Sequence, residues 1–201
     1  VDDHEIDLFE SQYDVPEGMS YNSYVILDEK TALMDSVDAA KTDEWIANVK
    51  EALGDRKLDY IVIQHMEPDH SGSFGVVAET FPEAKIVATA KAFQFMGQFF
   101  EGLDLGDRVT EVKEGDTISL GSHTLQFIMA YEQSEKVFFT ADAFGKFGAL
   151  DFDDPEGWAC EARRYYFGIV GKYGAPVQTL LKKAAGLDIQ KILPLHGPVL
   201  P

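Results

Sequence analysis

The run Ile61-Val62-Ile63-Gln64-His65-Met66-Glu67-Pro68-Asp69-His70 decides how the chain is read. A β-branched apolar stretch stops abruptly at two imidazoles and two carboxylates, a composition that serves a core badly and a metal well. Imidazole nitrogens and carboxylate oxygens make His65, Glu67, Asp69 and His70 a mixed N/O donor set. His65, Glu67 and Asp69 recur at every second residue, so a chain that stays extended past the strand projects them to one side. Pro68 carries no N–H and restrains Glu67, which favours an irregular, fixed ligand loop over another turn of helix. The competing reading is a solvated charged loop. Two histidines placed beside carboxylates count against it.

His-x-Glu-x-Asp-His after a buried strand resembles the signature of flavodiiron proteins, a branch of the metallo-β-lactamase superfamily in which Glu stands where the hydrolases carry a second His. The resemblance extends over nearly the whole chain. It includes Gly18-Met19-Ser20-Tyr21-Asn22-Ser23-Tyr24, Asp142-Ala143-Phe144-Gly145 and Leu195-His196-Gly197-Pro198. Carried over by position, it implies that His65 and Glu67 bind one iron, that Asp69, His70 and His196 bind the other, and that Asp142 bridges both. A bridging carboxylate suits that place, because its charge and two oxygens offset the repulsion between two cations. Glu67 makes its site harder, favouring iron or manganese over zinc. Tyr21 and Tyr24 could enter the pocket and donate a hydrogen bond to a bound ligand; ordinary half-buried strand aromatics are the other reading.

The function implied is a non-haem diiron protein that binds dioxygen or nitric oxide. It would act as an oxygen-binding or sensing module, or as a reductase fed by a separate flavoprotein or rubredoxin-like donor. Stand-alone oxygen-binding diiron proteins resemble it most. A binuclear zinc hydrolase is the alternative, and a metal-free interaction domain a third. Two departures from the family pattern matter. A further histidine is expected between His70 and Asp142, and the family's FMN-binding flavodoxin domain has no counterpart in the sequence. His123, the one other histidine in that interval, is expected to be structural. It opens a strand, and Ala130 lies seven residues on, about 20 Å away at roughly 3.3 Å per residue. The junction at Ala130-Tyr131 is where a ligand-bearing loop would sit.

The 201 residues and 45% hydrophobic content fit a single domain over residues 1–201. With 17 basic against 35 acidic side chains, the net charge of −18 opposes nucleic-acid and anionic-membrane binding. Cations and basic partners remain compatible, and a homodimer stays open. The lone Cys160 excludes an internal disulfide and a Cys-based zinc site, and fits a reducing compartment. No apolar run reaches the length of a membrane span, and no basic-then-apolar leader opens the chain, so a cytoplasmic protein is expected.

Asn22 to Asp28 and Thr31 to Asp35 read as a hairpin. A helix follows from Thr42, as N-cap, with Trp45, Ile46, Val49 and Leu53 on one face and Gly54 as its stop. Tyr60 to Gln64 reads as a buried strand and Val76 to Thr80 as a short helix ended by Phe81-Pro82. Lys85 to Thr89 is a strand, and a helix after it carries Phe93, Met96, Phe99 and Phe100 as a core stripe. Short strands are expected over Val109–Val112, Thr117–Leu120, Thr124–Met129 and Lys136–Thr140. Asp151, Asp153 and Asp154 form a solvated approach to a helix, with Pro155 in its first turn. Helices over Gly157–Tyr173 and Pro176–Ala185 lead to a last strand, Lys191–Leu195, and His4 is expected to be exposed. Strands in runs without strict alternation favour a mixed sheet pair covered by helices over a doubly wound fold. With the resemblance, that gives an α+β, metallo-β-lactamase-like four-layer αββα sandwich.

Overall fold

The computed structural model describes residues 1–127, 131–152 and 158–201. They fall into two compact units, one formed by Val1 and Asn22–Ser134 and the other by Asp2–Tyr21 and Glu135–Pro201. The second unit starts with short strands β1 (Asp2–Asp3), β2 (Leu8–Phe9), β3 (Tyr13–Asp14) and β4 (Met19–Ser20), pairing β1 with β4 and β2 with β3, both antiparallel.

The first unit is built on a five-stranded sheet in sequential order: β5 (Tyr24–Leu27), β6 (Thr31–Met34), β7 (Tyr60–Val62), β8 (Lys85–Ala88) and β9 (Val109–Glu111). Only β5 and β6 are antiparallel, as a hairpin turning through Asp28-Glu29-Lys30; the remaining neighbours are parallel. Leu33, Ile61 and Ile86 lie side by side in register and are fully buried. Strands covered on both faces read as continuous apolar runs, which is the pattern here. Because β6 and β7 run in parallel, their carboxyl ends share one edge of the sheet. Asp35 leaves the first and Gln64-His65 the second.

Helix α1 (Thr42–Leu53) buries Trp45, Ile46, Val49 and Leu53, the face that the periodicity predicts, and ends at Gly54 with φ 57°. Thr42 is not its cap. A 3-10 turn, Ala39–Lys41, precedes the helix and is capped by the Asp38 side chain, which accepts from Ala40 N–H at 2.8 Å. The Thr42 hydroxyl instead donates back to the Ala39 carbonyl, 2.8 Å away. Helices α2 (Pro68–Ser71), α3 (Phe74–Thr80) and α4 (Ala90–Phe99) complete the helical set of this unit, with Thr89 capping α4. The α4 stripe is less of a core than its spacing predicts. Met96 is buried, but Phe99 is 54% exposed and stacks on Phe95. An antiparallel set, β10 (Thr117–Ser119), β11 (Thr124–Gln126) and β12 (Tyr131–Glu132), closes the unit. The expected strand end at Ile128-Met129 and the junction at Ala130 lie outside the described residues.

In the second unit β13 (Val137–Phe139) pairs in parallel with β14 (Lys191–Leu193). Between them run α5 (Ala159–Tyr165), a π-helical turn (Tyr166–Val170), a 3-10 turn (Gly171–Tyr173) and α6 (Gly174–Ala184). The expected pair of separate helices is thus one nearly continuous helical path whose winding passes from α to π to 3-10 and back to α. Asp153, Asp154, Pro155 and the predicted helix start at Gly157 lie outside the described residues. Among the described residues, no helix is long and apolar enough to cross a membrane.

Candidate metal centre

The first unit carries four donors on one short segment. Glu67 is extended (φ −70°, ψ 147°), and Pro68 then opens α2 at its first position. That corrects the expectation of a loop extended throughout. Proline lacks the N–H that a first helical residue would leave unpaired, and its φ is already helical, so here it starts a turn instead of preventing one. The N–H groups of His70 and Ser71 both reach the Glu67 carbonyl, at 3.0 and 2.9 Å. Alternation therefore ends at Glu67. Asp69 and His70 are positioned by a helical turn, and His70 Nε2 lies 3.0 Å from Asp69 Oδ2. His65 Nε2 stands 3.6 Å from Glu67 Oε1. The His70 ring is fully buried, whereas His65 and Glu67 are partly open to solvent.

The segment is held from the end of β6. Asp35, fully buried and in the left-handed region at φ 57°, accepts from Gln64 N–H (2.7 Å), from the Gln64 amide (2.7 Å) and from His65 N–H (3.2 Å). Burial pushes its carboxyl above the ordinary range, against the pull of those donors and of His70. Next to it, Ser36 gives both its hydroxyl (2.6 Å) and its N–H (3.1 Å) to the His70 carbonyl. One dipeptide thus fixes the segment at its first and last ligand. Gly72 allows the remaining contact, because a Cβ there would meet Ala39 N and the Pro68 carbonyl at 2.7 Å.

The second unit carries two donors. Asp142 follows β13 and His196 follows β14, so parallel pairing brings both to one edge. His196 Nδ1 lies 2.6 Å from the Ser20 carbonyl. A carbonyl only accepts, so Nδ1 carries a proton, and in the neutral ring Nε2 is the nitrogen with the lone pair. That nitrogen faces Asp142, 3.7 Å from Oδ1. An oxygen partner that fixes the imidazole tautomer is the usual arrangement behind a metal-ligating histidine. Rings of Phe9, Tyr21 and Tyr165 pack around His196, with centroids 5.3 to 5.6 Å from its own. Gly197, at φ 84°, donates its N–H to Ser20 Oγ at 2.8 Å.

Of the two tyrosines singled out in the sequence, Tyr21 is buried against His196. Tyr24 belongs to the first unit. Burial raises its phenol above the ordinary range; the Asn22 side chain lowers it and the Asp35 charge raises it further. His4 is exposed, as expected, and lies 3.3 Å from Asp151. His123 is structural. Its ring and its N–H both bind Asp28, at 2.8 and 2.6 Å. The supports Asp35, Ser36 and Ser20 were not picked out from the sequence. For Asp35 and Ser36 the one visible signal is a polar pair placed directly after an apolar strand at the end of a hairpin; Ser20, inside β4, carries none.

The profile of the ODP family beta lactamase family matches residues 19–197, a span that contains all six donors. A nitric oxide reductase of Moorella thermoacetica is 34% identical over 90% of this chain and 49% of its own length. The rubredoxin-oxygen oxidoreductase of Megalodesulfovibrio gigas is 32% identical over 92% of this chain and 50% of its own. The crystal structure of the flavodiiron protein from Giardia intestinalis aligns over 99% of this chain and 52% of that one, with a TM-score of 0.88 and 26% identity. The chain thus spans about half the length of the relatives it matches. The metallo-β-lactamase-like fold expected from the sequence is the fold of these neighbours. The chain belongs to the ODP beta-lactamase family, and its relatives are flavodiiron proteins.

Proposed function

We propose that the chain holds two non-haem irons and binds dioxygen or nitric oxide there, as a sensing module or as a reductase supplied with electrons by a separate donor protein. His65 and Glu67 hold one iron, Asp69, His70 and His196 hold the other, and Asp142 is shared. The observation that carries it is the spacing of the donors. Each of the three imidazoles has a carboxylate oxygen 3.0 to 3.7 Å from Nε2. At 3.6 and 3.7 Å two of these pairs are too long for hydrogen bonds. Two ligands that each stand about 2.1 Å from one cation are separated by about that much.

The donor set fits iron: three imidazoles and three carboxylates, no thiolate, and Glu67 where a softer site would use nitrogen. When bound in the ferrous state, the two irons supply electrons to dioxygen or nitric oxide. The polypeptide supplies placement. Ser20 keeps the His196 proton on Nδ1, Asp35 and Ser36 hold the ligand segment, and the phenol of Tyr21, beside His196, is offered as a hydrogen-bond donor to the bound gas. The names of the Moorella and Megalodesulfovibrio relatives support nitric oxide and dioxygen as the ligands. The test is metal analysis of anaerobically purified protein, followed by titration of the reduced form with each gas. About two irons per chain and a new visible absorption on mixing are expected. Two zincs per chain and an unchanged spectrum would replace this reading with a hydrolase.

A further inference from the structure

The loop that carries Asp142 is built more tightly than a connection between two elements requires. In the second unit the parallel pairing of β13 with β14 runs on past both strands. Thr140 N–H reaches the Leu193 carbonyl at 3.2 Å, and Leu195 N–H reaches the Ala141 carbonyl at 3.0 Å. That second bond joins the residue before Asp142 to the residue before His196. The chain then folds back at once. Ala143 N–H returns to the Thr140 carbonyl at 3.1 Å and Gly145 N–H to the Asp142 carbonyl at 3.2 Å, so two turns overlap at Asp142. Ala141 occupies the first central position of the first turn at φ 49°. Turns with a positive φ there favour glycine, because the Cβ of any other residue crowds the carbonyl that follows.

An alanine held in that region needs a restraint, and Thr140 supplies one. Thr140 is fully buried, and its hydroxyl donates to the Ala143 carbonyl at 2.7 Å. Its own carbonyl accepts the Ala143 N–H, so one residue engages both main-chain groups of Ala143 and closes the turn across Ala141 and Asp142. The preceding Phe138 and Phe139 are buried and apolar, and valine would fill the place of Thr140 with the same shape. What the hydroxyl adds over valine is the bond to Ala143. With the turn closed, Asp142 Oδ1 stands 3.7 Å from His196 Nε2.

We propose that Thr140 is a positioning residue for the metal centre. Its hydroxyl locks Ala141 in the left-handed region and so holds the Asp142 carboxylate opposite His196; this role rests on the reading of Asp142 as a metal ligand. The net contribution of one hydrogen bond and the penalty on a left-handed alanine are of the same order. Loss of the hydroxyl is therefore enough to release the turn, and a released turn carries Asp142 beyond the roughly 0.5 Å within which a ligand constellation works. Glycine at position 141 removes the penalty, so the turn then closes without the hydroxyl. A threonine that only fills space has no such link to the residue beside it.

The experiment compares the full chain with Thr140→Val, Thr140→Ser, Ala141→Gly and the double variant Thr140→Val with Ala141→Gly. Two readouts are taken: the rate at which iron passes to a chelator, followed in the visible spectrum, and amide exchange at Leu195 in metal-free protein, which reports its bond to Ala141. Thr140→Val is expected to speed both by about tenfold, the equivalent of about 1.4 kcal/mol. Thr140→Ser, which keeps the bond, and the double variant are expected to stay close to the wild type in both. Ala141→Gly alone should melt no lower than the wild type, whereas glycine in place of an unstrained alanine lowers the midpoint. This variant keeps the hydroxyl and decides the case even if Thr140→Val does not fold. A lower midpoint in Ala141→Gly, a Thr140→Ser that behaves like Thr140→Val, or a double variant that recovers nothing overturns the proposal. So does iron release that is the same in every form, which leaves the metal reading standing. A wild type without iron whose Leu195 exchange follows the expected pattern refutes the metal reading and supports the lock on the turn.

Discussion

The two units hold their proposed ligands by different means. In the first, four donors sit within six residues, and the clamp on them is polar: Asp35 grips the start of the segment and Ser36 its end. In the second, Asp142 and His196 are far apart in sequence and are brought together by a parallel strand pair, with the His196 ring wedged among Phe9, Tyr21 and Tyr165. Hydrogen bonds fix direction, while ring packing fixes position and shape. The first unit should therefore fail when an acceptor is lost, and the second when a volume is lost.

The largest effect should come from Asp142, the donor proposed to be shared between two irons. Asp142→Ala is expected to deplete both metals, and His65→Ala mainly the one it serves. Iron content and the visible spectrum check this; a wild-type spectrum in Asp142→Ala would rule out the shared carboxylate. Since the histidine that the family pattern leads one to expect after His70 is missing from the sequence, the iron on His65 and Glu67 should also be the first lost to a chelator.

Next in size is the polar clamp. Asp35→Ala leaves the part-buried N–H groups of Gln64 and His65 without their acceptor, at up to about 1–3 kcal/mol each. Denaturant unfolding should show a loss of a few kcal/mol, with iron retention falling in parallel. Tyr165→Phe gives the contrast. It keeps the ring against His196 and should retain iron, whereas Tyr165→Ala removes a buried ring at about 3–5 kcal/mol and should lose it. If Phe and Ala behave alike at Tyr165, packing is not what holds His196.

How much of this could be read in advance follows the same division. The donors of the first unit stand together in the sequence, so their chemistry is legible from residue types alone. The strands and α1 are legible because burial on both faces, or on one, writes periods that the chain cannot hide. The helical turn at Pro68 was not, since proline both breaks helices and begins them, and which it does depends on the N–H groups behind it. Asp142 and His196 needed the family resemblance, because nothing local ties two residues that a strand pair joins. Ser20 and Phe9, which hold His196, are more distant still. The exposure of Phe99 and Phe167 was illegible for another reason. An apolar stripe looks the same whether it meets a core, a groove or water.

The smallest effect should lie away from the metal, at the contact between the β5–β6 turn and the turn that opens β11. Asp28 is nearly buried there and accepts from the His123 N–H (2.6 Å), the His123 ring (2.8 Å), Glu29 N–H (2.8 Å) and Ser122 Oγ (3.0 Å). Burial alone would raise its carboxyl, but these four donors outweigh burial and leave it below the ordinary range. A carboxyl with a lower pKa in the folded than in the unfolded chain stabilises the fold above the unfolded value, about 3.9, and the contribution disappears as pH falls through the folded value. Asp28→Asn should therefore be less stable than the wild type at neutral pH, with the gap closing below about pH 4. His123→Ala should show the same trend more weakly, because the backbone N–H at that position remains, and it should keep its iron. Urea melts of all three proteins between neutral and acid pH measure the gap. A difference that stays constant across that range would mean that Asp28 acts through shape and not through charge.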